Sequence, residues 1–271
     1  MNPTTGELIL LGISVTFFAV GEAVSLARLW SSARPLRLSA KIFDYLGLTA
    51  AIGVIVWHSI SRGHWLPMSD NFDTIIWLAI LLALFVAYMQ RVKPITGLDW
   101  FVMPIVILLL VAAGYFGSQD LHTYRPLVRD TGIWVHRVSA YGGAVAFAIA
   151  APVGAMYVIA SRRLRAKTAG PSFTSLERLE RLMMLSVTLG FALLTIGLIT
   201  GLFRMIDQKS SIPMPKLLLA SLAWLVYAVV MHAPINPRFR GRRAAMLSIF
   251  GFVLVFGTLV AVQFMPGGGN G

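Results

Sequence analysis

The fold this sequence predicts is all-α, a polytopic membrane helix bundle of about eight transmembrane helices with both termini outside, and three observations predict it. Of 271 residues, 57% are hydrophobic and 13% charged, with a mean hydropathy of +0.77, which leaves too little polar surface to cover a soluble globule. Eight stretches stay mostly apolar over about the 20 residues that a helical span needs. The basic residues between them are shared unequally between alternate loops. In hydrocarbon every backbone N–H and C=O must be paired internally, so only helices and closed barrels cross it, and barrel strands show a weaker alternating pattern. The runs are therefore read as helices packed into a single integral membrane domain over residues 1–271.

Leu8–Leu29 follows MNPTTGELIL, which lacks the positive flank of a cleaved signal, and its apolar stretch is too long for one, so it is expected to remain a helix. Phe43–Ile60 and Phe72–Met89 flank the short segment SRGHWLPMSDN, and Leu98–Gly117 follows. Gly132–Ser161 is long enough to protrude. Leu182–Phe203 is preceded by PSFTSLERLERLM, where Thr174 stands three residues before Glu177 at capping-box spacing and the Glu/Arg alternation reads as a solvated helix start. Leu217–His232 is short, and Ala244–Phe264 leads into the flexible tail PGGGNG. Gly142, Gly143, Gly190, Gly197 and Gly201 allow helices to approach closely in lipid, and this needs no ligand.

The net charge of +12 has a simple distribution. Sixteen of the 23 Lys and Arg residues lie in one set of alternate loops, including Arg162, Arg163, Arg165, Lys167 and the run through Arg243; six lie in the other set, and Arg137 lies just inside the fifth helix. By the positive-inside rule the richer set faces the cytoplasm. No nucleic acid is needed to explain the charge, and APINPRFRGRR reads as an orientation signal that also favours anionic lipid headgroups. The chain has no cysteine, which excludes disulfides, thiolate metal sites and thiol–disulfide exchange.

This topology assigns each histidine a depth. His58 and His64 flank the outer turn between the second and third helices, and His122 lies in the next outer loop. His136 lies about one turn inside the outer end of the fifth helix. His232 closes the run LLLASLAWLVYAVVMH, and 16 residues at about 1.5 Å each put it roughly 24 Å from the helix's outer start, at the inner face. An ionisable ring there reads either as a ligand or as an interfacial hydrogen-bonding group. One small ligand does not reach both His136 and His232. The nearest histidine pair, His58 and His64, is six residues apart and off a common helical face, which argues against a dedicated zinc site. Glu22 is the one clear mid-span carboxylate, so proton coupling has little support. Haem, an apolar ring needing one or two axial imidazoles, suits isolated histidines better.

Four segments carry a resemblance. SRGHWLPMSDNFDTIIWLA, IWVHRVSAYGGAVAFAIAAPVGAMYVI, SLERLERLMMLSVTLGFALLTIGLITGLF and AWLVYAVVMHAPINPRFRGRRAAMLSIFGFVLVFGTLVAVQF occur in register from about Tyr45 to Gln263. Together they resemble the cytochrome c assembly family, CcsA type, related to ResC and HemX. The resemblance implies a protein that accepts haem b without covalent attachment from the cytoplasmic side of the inner membrane. It would present that haem outside to apocytochrome c, usually with a ResB/CcsB-type membrane partner. His136 matches the family's outer haem ligand and His232 its intramembrane ligand, so both are expected to bind haem iron. His64 matches the outer Gly-His segment, with no axial role assigned; it would cap or orient the turn with Pro67, Ser69 and Asn71. Thioether formation then belongs to the apocytochrome's thiols and the haem vinyls, with the protein positioning them, so whether the chain is itself an enzyme stays open.

This chain departs from the family in two places. Where the family carries the Trp-rich pattern W-G-x-x-W-x-W-D, it has RMIDQKSSIPMPK, and after the last helix FMPGGGNG provides no second outer histidine. The missing tryptophan pattern leaves a HemX-like regulatory membrane protein of haem biosynthesis as an alternative. A small-solute transporter or structural membrane subunit is a further one.

Overall fold

The computed structural model describes residues 3–27, 34–63, 65, 70–117, 131–167, 174–208, 214–232 and 240–261. They form eight helices: α1 Thr5–Ala27, α2 Arg34–Arg62, α3 Asn71–Val92, α4 Leu98–Phe116, α5 Thr131–Ala166, α6 Leu176–Gln208, α7 Met214–Met231 and α8 Arg242–Ala261. No strand occurs among the described residues. Each of the eight predicted runs contains one of these helices, but the boundaries move. α2 begins at Arg34 rather than near Phe43, because hydropathy marks only the apolar part of a helix and is silent on a polar first turn. Among the described residues six helices, α1 to α6, are long and apolar enough to cross a membrane, whereas the apolar part of α7, Leu217–Met231, is shorter. At the start of α6, Ser175 rather than Thr174 precedes the first helical residue. Its carbonyl accepts from the backbone N–H groups of Arg178 and Leu179. Glu177 instead pairs with Arg181 one turn on, at 2.8 Å and largely exposed, as expected of a solvated helix start.

The helices fall into two compact units, α1–α4 and α5–α8. In the first, α1 packs on α2 and α4, and α3 packs on α4 and α2. α1 and α4 are also tied by polar contacts: the Ser25 hydroxyl donates to Asp99 Oδ2 at 2.8 Å, and Trp100 Nε1 donates to Ser25 Oγ at 2.9 Å. In the second unit, α5 packs on α6 and α8, and α7 on α8 and α6.

The α5–α6 seam is built from small residues in antiparallel register. Going down it, His136 lies against Gly201, Ala140 against Gly197, Gly143 against the Leu194 backbone, and Phe147 against Gly190. Van der Waals contact replaces the hydrophobic drive that is missing between helices in lipid, and the absent side chains bring the backbones close enough to gain it. At the foot of the seam Phe147 stacks on Tyr227 of α7, with ring centroids 3.6 Å apart and planes 9° apart. The Tyr227 hydroxyl donates to the Ser248 carbonyl of α8 at 3.2 Å. Stacked aromatic pairs contribute about 0.5–1.5 kcal/mol beyond their burial, and this pair joins α5, α7 and α8.

Gly251 lies beneath the Tyr227 ring, where an added Cβ would stand 2.7 Å from Cζ and 2.8 Å from Cε2. A fully buried, stacked ring has little room to yield. Gly251→Val is therefore expected to destabilise the second unit by about 1–3 kcal/mol, measured as a lowered melting temperature in detergent. An unchanged melting temperature would show that the ring is free to shift.

Candidate functional site

In the second unit, the two histidines predicted as ligands stand at different levels along α6. His136 sits in the second turn of α5, half-buried against α6, with Nδ1 2.9 Å from the Gly197 carbonyl and 3.3 Å from the Thr200 hydroxyl. A carbonyl oxygen only accepts, so Nδ1 carries the hydrogen and donates, and in the neutral ring Nε2 holds the lone pair. His232 lies one residue beyond the end of α7 and is exposed. Its backbone N–H donates to the Val229 carbonyl at 3.1 Å. Its Nδ1 donates to the Ala228 carbonyl at 2.7 Å, satisfying an orphan acceptor of the last turn. The same tautomer results: Nδ1–H is engaged and Nε2 is the basic nitrogen.

His232 also ends an exposed apolar stripe. Leu218, Leu222, Leu225 and Val229 precede it at steps of four, three, four and three residues, all at least 40% exposed, while Ala223, Tyr227 and Val230 face the core. Met231 Sδ accepts from Thr188 of α6 at 3.5 Å. Measured along α6, Thr188 and the Gly197–Gly201 turn are nine to thirteen residues apart, roughly 14–20 Å. The two imidazoles therefore belong to two separate sites.

His64 and His122 lie outside the described residues, as do Pro67 and Ser69. Asn71 begins α3, and the residue that caps that helix is Asp70, whose side chain accepts from the Asp73 N–H at 2.8 Å.

His58 is the histidine whose surroundings the sequence did not foretell. It is 1% exposed, in the last turns of α2, with Nδ1 2.6 Å from Glu7 Oε1 and Nε2 3.0 Å from Asp70 Oδ2. Arg62 continues the cluster, its two terminal nitrogens lying 3.0 Å from Asp70 Oδ2 and 3.1 Å from Asp73 Oδ2. Phe72 covers the imidazole edge-on at 5.0 Å. Both carboxylate partners are helix-capping residues. Glu7 closes a capping box with Thr4, taking the Thr4 N–H at 2.7 Å, and Asp70 is the N-cap of α3. A neutral imidazole has one N–H, so for both contacts to be hydrogen bonds His58 must be an imidazolium or one carboxyl must be protonated. Either way the cluster retains a proton, and both ring nitrogens are engaged, so His58 is no candidate for an iron ligand. Spacing in the sequence does carry a signal for it: TTGE and DNFD are both cap-type tetrapeptides immediately before apolar runs. Glu7, Asp70 and Asp73 are buried partners of α2 because the starts of α1 and α3 fold inward onto it.

Three or more His, Cys, Asp or Glu side chains arranged to hold a metal ion are not found among the described residues. A small cleft in the first unit, lined in part by Lys41, Asp44, Tyr45 and Gln90, contains none of the histidines.

With this geometry in view, residues 65–268 match the model of the cytochrome c assembly protein family. The chain belongs to that family. Relatives include the cytochrome c biogenesis protein CcsA of a Prochlorococcus marinus strain, 24% identical over 95% of this chain and 88% of the relative. The CcsA proteins of Mesostigma viride (21% identical, 76% of each chain) and Guillardia theta (23% identical, 83% of this chain and 84% of the relative) are similar along comparable lengths. No solved structure matches the chain significantly. The family match takes in His136 and His232 but begins after Glu7 and His58, so the buried charge cluster lies largely outside it.

Asp70, which stands outside the spans, titrates unusually. Burial pushes its carboxyl up, but the hydrogen bonds from His58 and the Asp73 N–H and the charge of Arg62 outweigh this and hold it below the usual carboxylate range. A depressed folded-state value contributes stability that is present above the unfolded value of about 4 and is lost as pH falls through the folded one. Melting curves of wild type and Asp70→Asn should accordingly be far apart at pH 7 and converge below about pH 4; a gap independent of pH would refute the ion-paired assignment. His58→Ala leaves Glu7 and Asp70 buried without their shared cation and is expected to cost about 3–5 kcal/mol, read by thermal unfolding at neutral pH. A cost near that of a surface substitution would mean that the cluster is solvated.

Proposed function

We propose that this protein handles haem during cytochrome c maturation, receiving non-covalently bound haem b near the cytoplasmic face of the cell's inner membrane at His232. It presents the haem on the outer side at His136. Membership of the cytochrome c assembly family supports the process, and the single observation that supports these residues is their shared tautomer. Each imidazole donates Nδ1–H to a backbone carbonyl and keeps Nε2 as the basic nitrogen, the arrangement typical of histidines that bind a metal, in which the outer hydrogen bond fixes the ring and raises its basicity.

The donor set fits haem: an imidazole with the Nδ1–H tautomer at each position, with an exposed apolar stripe on α7 leading to His232. Haem supplies the vinyl groups to which the apocytochrome's thiols become joined. The residues of this chain supply orientation. His232 stands at the end of the apolar stripe of α7 and is followed in the chain by a basic stretch, so it would hold the iron, with the stripe suited to the apolar ring and basic residues such as Arg240 and Arg243 suited to its carboxylates. His136 holds the outer position. His64, in the family's outer Gly-His segment, orients the turn before α3. A ResB/CcsB-type membrane protein and apocytochrome c are the partners.

The missing Trp-rich segment before α7 favours one second reading, a HemX-like regulator of haem biosynthesis. The two are separated by deletion: loss of holocytochrome c supports delivery, whereas intact holocytochrome with altered levels of haem-pathway enzymes supports regulation.

Purified in detergent, the protein is expected to show a b-type haem spectrum that weakens in His136→Ala and in His232→Ala and disappears when both are changed. An undiminished spectrum in the double variant would remove both assignments.

A further inference from the structure

The seam between α5 and α6 does more at its end than pack two helices. At three of its four steps a small residue meets a backbone or an aromatic ring that only fills space. At the fourth it meets His136. Gly201 leaves the gap into which the imidazole fits: a Cβ there would stand 3.0 Å from Cε1 and 3.4 Å from Nδ1. One turn earlier on α6, the Gly197 carbonyl takes the Nδ1 hydrogen at 2.9 Å, and the Thr200 hydroxyl stands 3.3 Å from the same nitrogen. That hydroxyl is itself fixed, donating to the Ile196 carbonyl at 2.7 Å, so at Nδ1 it acts as an acceptor.

We propose that Gly197, Thr200 and Gly201 of α6 form a positioning cradle for His136, which fixes its ring plane and its Nδ1–H tautomer and so keeps the lone pair of the neutral ring on Nε2. The cradle rests on the reading of His136 as a haem ligand for its purpose, but not for its existence. Two acceptors converge on Nδ1. A tautomer switch would turn the Nδ1 lone pair toward the Gly197 carbonyl oxygen and lose that hydrogen bond, so the choice of nitrogen is made before any ligand arrives. Because α6 also carries Thr188 against Met231 beside His232, one helix supports both imidazoles, and its register relative to α5 sets how the outer one is presented. Gly197, Thr200 and Gly201 act through His136 rather than on a ligand, so they are positioning residues.

Two measurements separate the cradle from the haem reading. The first uses haem-free protein labelled with nitrogen-15 histidine, at a pH where the rings are neutral. His136, assigned from the signal lost in His136→Gln, is expected in the Nδ1–H form in wild type. It should become a mixture of both tautomers in Gly201→Val, which pushes the ring away, and shift partly in Thr200→Val. A wild-type ring protonated on Nε2, or a tautomer untouched by Gly201→Val, overturns the cradle without bearing on haem binding. The wild-type spectrum decides the point even if Gly201→Val fails to fold. The second uses haem-loaded protein. Gly201→Val should weaken haem retention at this site by about 10–100-fold and raise the haem midpoint potential, since a less basic imidazole favours the ferric iron less. Imidazole added to His136→Gly should restore the wild-type spectrum. Failure of that rescue, with the tautomer result intact, refutes the ligand role and leaves the cradle standing.

Discussion

The structure depends on one physical constraint: a polar group buried where there is no water must find its partner inside the protein. Leaving a hydrogen-bonding group unpaired in such a medium costs several kcal/mol. For the backbone the constraint yields eight helices. For side chains it yields the polar clusters and the state of the buried His58 and half-buried His136. His58 meets the requirement with two carboxylates and His136 with a carbonyl and a hydroxyl of a neighbouring helix; the exposed His232 donates to a carbonyl of its own last turn. These solutions differ chemically. Two acidic partners leave no ring nitrogen for other work, whereas a single carbonyl fixes one nitrogen and leaves the other basic.

The two units divide the work accordingly. The first concentrates the buried acids: Glu7, Glu22, Asp70, Asp73 and Asp99 are all less than 9% exposed, and the ones tied to His58 and Arg62 pin the starts of α1 and α3 to the end of α2. The second has no buried acid of that kind among its described residues and is organised by small residues and aromatic stacking. It contains both imidazoles with a basic Nε2. Among the carboxylates of the first unit both ring nitrogens of His58 are engaged, whereas in the second unit His136 and His232 each donate Nδ1–H to a backbone carbonyl.

Packing and chemistry are joined on α6. The same glycine periodicity that lets α6 approach α5 also opens the space for the His136 ring and aims a carbonyl at it. A residue type that reads in the sequence as a packing device thus sets the orientation of an imidazole, because the absence of a side chain at Gly201 is felt by whatever lies opposite, and at that level it is His136.

Composition and hydropathy were enough to establish that the chain is a helical membrane protein and where its apolar runs lie, because backbone pairing in lipid permits so few alternatives. Register of the family motifs pointed to the cytochrome c assembly family, and the chain belongs to it. Helix starts were less legible: polar first turns such as Arg34–Leu38 carry no hydropathy signal, and Ser175 rather than Thr174 precedes α6. What only the tertiary structure decided was which groups meet. Glu7 and Asp70 stand 51 and 12 residues from His58 in the chain, and no local pattern says that two helix caps converge on one imidazole. Likewise the tautomer of His136 depends on a carbonyl 61 residues away. A ring nitrogen's role is set by the atom it faces, and that atom is supplied by a different helix.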